Sequence, residues 1–383
     1  MFGWEFPPFY SGGLGIASSE LAKALSKKGL KLTFVLPKKL NVYSPYFDII
    51  FADIKSEFIP TGYPPYITIK QVDYGDGLIE QVIQYGRRVK KIISTLNFDI
   101  IHAHDWLSAL AGIEAKKISK KPLVLQIHST EFDRTGNGYV NPAIYHIEKQ
   151  GMEFADCVIA VSNFTKRKIE KYYGIDPSKI EVVYNAPQDK SYRELEVNLR
   201  KLKQLGNRIV LFVGRLALQK GPDYFIRAAK KVLNYRKNVL FVIAGSGEME
   251  RQVIRQVASL GISDKVIFAG FVKGENLDRL YQVADLVIMP SVSEPFGLVC
   301  LEALANKTPT IISKQSGIRE VIKSAIQVDF WDVEEMANKI ISVLENPSLA
   351  RHLTEAGIKE MLNLSWDKSA EQCISIYDSL IDF

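Results

Sequence analysis

The stretch RIVLFVGRLALQKG, residues 208–221, decides the fold. After Arg208 come five apolar residues in a row, the pattern a strand shows when helices cover both of its faces. A glycine turn carrying two cations, Arg215 and Lys220, follows immediately. Working outward, similar runs recur at 240–244, 286–289 and 310–313, and towards the start at 32–36, 99–103, 123–127 and 158–161. Helical spacing fills the intervals. The expected fold is α/β, with two Rossmann-like, doubly wound parallel sheets facing one another across a cleft, and ligands at the carboxyl ends of the strands.

Between 187 and 207 this rhythm lapses into a charged stretch, 189–204, that has no core strand. The boundary belongs there, giving a first domain of residues 1–190 and a second of 191–365. A length of 383 residues accommodates two domains of roughly 100–200 residues each. At the start, residues 1–3 leave only a stub where a first central strand would stand, so that strand is short or the chain begins late.

Composition narrows the function classes. With 47% hydrophobic and 24% charged residues the chain reads as a globular protein and not a disordered one. No run reaches the about 18 apolar residues of a bilayer span, and no basic segment leads into an apolar one near Met1, so neither export nor insertion is expected. Cys157, Cys300 and Cys373 are far apart and set among apolar residues. They read as reduced core residues of a cytoplasmic protein, without zinc-ligand spacing. The net charge of +6 comes from 49 basic and 43 acidic residues. Clusters such as Arg87, Arg88, Lys90 and Lys91 read as a solvated helix face, so no nucleic-acid partner is expected.

Four groups could carry chemistry. Ser11, Gly12, Gly13, Leu14 and Gly15 precede a helical pattern, and glycines at a helix start let an anion approach exposed amides. A dinucleotide fingerprint would need a small residue where Ser18 stands and an acid near Pro37, Lys38 and Lys39, so a nicotinamide cofactor is not expected. The second group is Arg215 and Lys220, which could clamp a diphosphate from two sides; no Walker sequence occurs in the chain. The third runs from Ser293 to Glu302: Glu294 in a loop, the amides of Gly297, Leu298 and Val299 at a helix start, and Glu302 one turn in, suited to two ribose hydroxyls. The fourth is His104, Asp105 and Trp106 at one strand end with His128, Ser129, Thr130 and Glu131 at the next. Taken singly, each has a plain structural reading, as turn glycines, surface charges or a hydrogen-bonded histidine.

In this order the groups resemble the retaining GT-B glycosyltransferases, the class that includes glycogen and starch synthases and the family 4 enzymes. The likeness spans almost the whole chain. It rests on Gly12, Gly13 and Leu14, on His104 to Trp106, His128, Arg215 to Gly221, Gly245 to Gly247, Gly270 to Val272 and the Glu294 to Glu302 spacing. The resemblance implies that Arg215 and Lys220 hold the donor diphosphate, Glu302 the ribose and the amides of Leu298 and Val299 a phosphate. It implies that Glu294 faces the transferred sugar, that Gly270, Phe271 and Val272 lie by the base, and that His128 lies near the reacting carbon. Gly13 would approach phosphate and acceptor, with Gly12, His104, Asp105 and Trp106 on the acceptor side. It also implies a closing helix, 366–383, that returns to the first domain.

The activity so implied is metal-independent transfer with retention, glucose passing from UDP- or ADP-glucose to a glycan acceptor, with no further cofactor. The chain contains no Asp-x-Asp sequence, in keeping with a fold that neutralises diphosphate with Arg, Lys and helix dipoles. Ser11 stands where bacterial glycogen enzymes carry Lys, which moves weight towards family 4, with its glucan, disaccharide and lipid acceptors. A sugar-nucleotide epimerase and a catalytically silent binding protein are the alternatives. Trp4, Phe6, Phe9 and Tyr10 are either core or acceptor-stacking residues, or part of a membrane surface for a lipid acceptor.

Overall fold

A computed structural model of the chain describes all residues except 11, 54–75, 137, 189–205 and 382–383. Ser11 and the charged stretch 189–204 therefore lie outside the described residues. The chain divides into two compact units, Met1–Ala186 with Ser365–Phe383, and Pro187–Leu364.

The first unit holds β1 (Thr33–Leu36), β2 (Asp48–Phe51), β3 (Ile101–His104), β4 (Leu123–Ile127), β5 (Cys157–Ala160) and β6 (Ile180–Val182). All paired strands run parallel. Residues 1–3, too short to show any periodicity, fill the gap between β1 and β3. The amide of Phe2 donates to the carbonyl of His102 at 2.7 Å and its carbonyl accepts from His104 at 3.1 Å, while Gly3 donates to Val35 at 3.0 Å. Counting this stub as the first strand, the sheet reads 3-2-1-4-5-6-7, the doubly wound order with one strand added at an edge. Phe34 and Leu36 point into one core and Val35 into the other, which explains the continuous apolar run.

The second unit holds β7 (Arg208–Val213), β8 (Val239–Ala244), β9 (Val266–Gly270), β10 (Leu286–Met289), β11 (Thr310–Ser313) and β12 (Ile326–Val328). Their order, β12-β11-β10-β7-β8-β9, is again 3-2-1-4-5-6, with the switch point between β7 and β10. Val210 and Phe212 pack with Phe225 and Ile226 of the helix Pro222–Tyr235, and Ile209 and Leu211 pack with Leu280 and Tyr281 on the other face. Each such side chain contributes about 1.5–3 kcal/mol on burial, and β7 is therefore fixed from both sides.

The helix Trp366–Ile381 belongs to the first unit. Tyr377 meets Nδ1 of His102 at 2.5 Å, and Ser369 Oγ donates to the carbonyl of Tyr184 at 2.7 Å. Trp4 and Phe6 are buried, so of the readings open for the aromatic start these two take the core one. Among the described residues no helix is long and apolar enough to cross a membrane.

Candidate functional site

In the second unit the loops leaving β7, β8, β10 and β11 are tied to one another, backbone to backbone. Val292 donates to the carbonyl of Gln219 at 2.9 Å, Glu294 to Gln315 at 2.9 Å, and Gly317 back to Glu294 at 2.9 Å. Gly221 adopts φ 64°, and a Cβ there would stand 2.3 Å from the carbonyl oxygen of Pro290, so only glycine lets these loops close together. On this frame Lys220 Nζ donates to Glu294 Oε2 at 2.6 Å, and Ser291 Oγ donates to the same oxygen at 3.2 Å. Glu294 is buried, and charge-assisted bonds of this kind hold a carboxylate in one orientation. Lys220 keeps further N–H donors for a second anion.

Arg215 sits on the neighbouring tie. Leu216 donates to Ser246 at 2.9 Å, Met249 to Leu216 at 2.8 Å, and a Cβ on Gly245 would stand 1.9 Å from the carbonyl oxygen of Gly214. The guanidinium then meets Glu248 Oε2 from Nε at 3.2 Å and Nη2 at 3.1 Å, with both side chains more than a third exposed. Such a surface pair is worth about 0–1 kcal/mol, so it can be exchanged for a stronger anionic partner.

Gly297 precedes the helix Leu298–Ala305, whose first amides, those of Leu298 and Val299, have no earlier carbonyl within the helix. Glu302 lies in this helix and accepts from the hydroxyl of Tyr281 at 2.8 Å. Burial, and then Glu302 itself, push the Tyr281 phenol well above its ordinary range, so it remains a donor. Gly270 ends β9 and accepts from Gly245 at 2.7 Å; Phe271 beside it is exposed and Val272 half-buried.

In the first unit the corresponding strand ends hold imidazoles and a buried carboxyl. Asp105 follows β3 directly, with φ 56°, a left-handed conformation that is uncommon outside glycine. Its carboxylate accepts from the amides of His128 at 2.6 Å and Ser129 at 3.3 Å. Burial raises its pKa to about 7, against the opposing pull of Arg134. His104 Nδ1 and His128 Nε2 are 3.0 Å apart, and the rings of His102 and His104 stack with centroids 4.5 Å apart. Burial lowers the His128 pKa to about 3 and that of His104 well below its usual value, so both imidazoles are uncharged at neutral pH. Trp106 is a core residue, 2% exposed, with the Arg134 guanidinium 6.0 Å from its ring centroid.

Thr130 and Glu131 are taken into local structure: Thr130 forms a capping box with Asp133, and Glu131 pairs with Arg134 at 3.0 Å. Arg134 also donates to the carbonyl and Oγ of Ser129, both at 3.0 Å, and to Glu148. Gly13 opens the helix Gly13–Lys27, and a Cβ at Gly12 would meet nothing within 4 Å. It is Gly15 that the packing demands, because a Cβ there would stand 2.8 Å from Tyr10 Cβ.

The structure thus brings Lys220 to Glu294, Tyr281 to Glu302, and His104 and Asp105 to His128. The sequence reading missed Ser291, Glu248, Tyr281 and Arg134. The only local signal for any of them is the acid that follows the glycines 245–247, at Glu248.

Comparison with known proteins defines the class. The fold is that of the GT-B glycosyltransferases: a sucrose-phosphate synthase from Thermosynechococcus elongatus superposes with a TM-score of 0.77 at 23% identity, covering 97% of this chain and 94% of that one. An Anabaena protein, HepE, solved in complex with UDP-glucose, superposes with a TM-score of 0.74 at 19% identity over 99% of each chain. The sequence model described as Glycosyltransferase Family 4 matches residues 11–186, and that described as Glycosyl transferases group 1 matches residues 197–360. An uncharacterized glycosyltransferase of Methanocaldococcus jannaschii is 32% identical across 98% of this chain and 97% of its own length. A glycogen synthase of Mycobacterium tuberculosis is 26% identical across 98% and 93%. The chain belongs to the GT-B glycosyltransferases and is similar to family 4.

Proposed function

We propose that this enzyme transfers glucose from UDP- or ADP-glucose to a glycan acceptor with retention of configuration, without a metal ion, in the manner of glycogen and starch synthases. One observation carries the reading: a cation, Lys220, held 2.6 Å from a buried carboxylate, Glu294, at the switch point of the second sheet. Cleaving the bond between the anomeric carbon and the diphosphate leaves negative charge on phosphate and positive charge on the sugar ring. Groups fixed in advance where that charge appears lower the barrier directly.

In this reading Lys220 and Arg215 bind the diphosphate oxygens and stabilise the departing nucleotide. The amides of Leu298 and Val299 add donors, Glu302 takes the ribose hydroxyls, and Gly270, Phe271 and Val272 lie by the base. Glu294 orients the glucosyl hydroxyls, and the loop around Gly12 and Gly13 lets phosphate and acceptor approach the backbone. Neutral His128 serves the sugar near the reacting carbon through its carbonyl or imidazole; burial keeps it from competing as a cation. The complex of HepE with UDP-glucose supports the donor, and the glycogen synthase relative supports the acceptor. Three buried thiols suit a cytoplasmic enzyme.

The test is a thermal-shift screen of UDP-, ADP- and GDP-glucose, followed by transfer of labelled glucose from the stabilising donor to glycogen in the presence of EDTA. Stabilisation by UDP- or ADP-glucose and an α-linked product sustained in chelator are expected. A β-linked product would overturn retention, loss of transfer in EDTA would overturn metal independence, and free hexose epimer without transfer would overturn the reading altogether.

A further inference from the structure

We infer that Trp331, supported edge to face by Phe330, forms a stacking platform for a neutral oligosaccharide at the carboxyl-terminal rim of the second sheet. The inference rests on the glycan-acceptor reading above and adds a subsite to it. Of the four tryptophans, Trp4, Trp106 and Trp366 are buried, whereas Trp331 is 57% exposed. It stands three residues beyond β12, on the rim that also carries Lys220 and Glu294.

The exposed ring is firmly seated. Its centroid lies 4.8 Å from that of Phe330 at 83°, and Phe330 lies 5.1 Å from Tyr224 at 75°, both edge to face. Tyr224 is in the first turn of the helix Pro222–Tyr235, four residues beyond Lys220. Asp329, which leads into the platform, accepts from Lys314 Nζ at 2.8 Å and from Gln315 Nε2 at 3.0 Å. The carbonyl of Gln315 in turn accepts the amide of Glu294. Two hydrogen bonds therefore separate the platform from the carboxylate proposed to face the transferred sugar.

The surrounding charge selects the kind of ligand. Lys314 feels Asp329, Glu335 and Asp332; Lys231 pairs with Glu334, and Arg227 with Asp223 at 3.4 Å. Signs are mixed with carboxylates in excess, three cations against five acids, so the platform attracts neither a phosphate backbone nor an anionic bilayer. A pyranose offers an apolar C–H face to a flat ring and hydroxyls to polar groups at its margin, which is the surface Trp331 and its neighbours present.

Because the other tryptophans are buried, acrylamide quenching of the full-length protein reports chiefly on Trp331. Maltoheptaose should protect the emission from acrylamide in the wild type, and Trp331→Ala should lose both the quenchable component and the protection. In native gels containing glycogen, Trp331→Ala and Phe330→Ala should bind about tenfold more weakly than wild type, ~1.4 kcal/mol. Unprotected emission, or glycogen binding by Trp331→Ala as tight as wild type, would overturn the platform. So would protection that rises with protein concentration in the absence of glycan, which would identify a second copy as the occupant. Stabilisation of the wild type by UDP or ADP, whichever is the larger, is measured in parallel. If it is present while maltoheptaose protects nothing, the platform fails and the donor reading stands; if it is missing, the donor reading fails on its own.

Discussion

The first sheet presents Gly12 and Gly13 after its first strand and His104 and Asp105 at the end of its fourth, and the second presents Arg215, Lys220 and Glu294 on the loops after the equivalent strands. Topology is shared and chemistry is opposite. In the first unit the imidazoles of His104 and His128 are neutral and bonded to one another, and the Asp105 carboxyl is held near half-protonation at neutral pH. In the second the cations are partly exposed, each resting on a carboxylate it can share with a ligand. The same strand order supplies the same location twice, and what is placed there decides whether the location recognises by neutral hydrogen bonds or by charge.

The sharpest way to break this contrast is kinetic. Lys220→Ala should lower kcat with saturating UDP- or ADP-glucose by roughly 10²–10³-fold, the range seen when one preorganised electrostatic donor is removed. His128→Ala should cost clearly less. Equal losses would mean that charge on the second sheet is not the dominant contribution.

A smaller effect separates glycines the fold requires from glycines it leaves open. At Gly221 a methyl group meets both φ 64° and the Pro290 carbonyl at 2.3 Å, so Gly221→Ala should cost about 2–4 kcal/mol and lower the melting temperature by roughly 5–10 °C. Gly12→Ala, with extended φ −164° and open space, should stay within about 0.5 kcal/mol of wild type. Differential scanning calorimetry reads both, and a reversed ranking would contradict the account.

The smallest effect concerns pH. The Asp105 pKa is raised from 3.8 to about 7, so the stability it contributes below pH 3.8 is lost as pH rises through about 7. His102 and His128, lowered to about 3, act in the opposite sense: their contribution is present above pH 6.5 and is lost as pH falls through about 3. Asp105→Asn removes the opposing contribution, so urea-unfolding stability should climb more steeply between pH 4 and 7 than in wild type. An unchanged slope would mean that the carboxyl is not held protonated by burial.

The central strands were legible because both of their faces are buried, as in Val239–Ala244 and Leu123–Ile127. The four strands that the sequence reading did not name, β2, β6, β9 and β12, are the sheet edges: Glu181 and Gln327 interrupt the apolar run in β6 and β12, whereas 49–52 and 266–269 are short apolar runs that were passed over and are only partly buried. The candidate cations and acids were legible because glycines and strand ends flank them. Most of their partners were not, since Glu248, Gln315 and Tyr281 reach them from other loops and helices, brought near only by strand order; Ser291 lies in the loop of Glu294 itself, where nothing but the fold of that loop turns it to the carboxylate. Asp105 shows the same limit: nothing in its neighbours in sequence signals a left-handed backbone gripping the next strand's end.

The account stands or falls on whether Arg215 and Lys220 neutralise the departing nucleotide. The most direct measurement compares wild type with the Arg215→Ala/Lys220→Ala double variant, shown to be folded by circular dichroism, for UDP- or ADP-induced stabilisation and for glucosyl transfer. The prediction is that nucleotide raises the melting temperature of the wild type alone and that transfer by the double variant is lost. A double variant that is stabilised equally and transfers at the wild-type rate would contradict it.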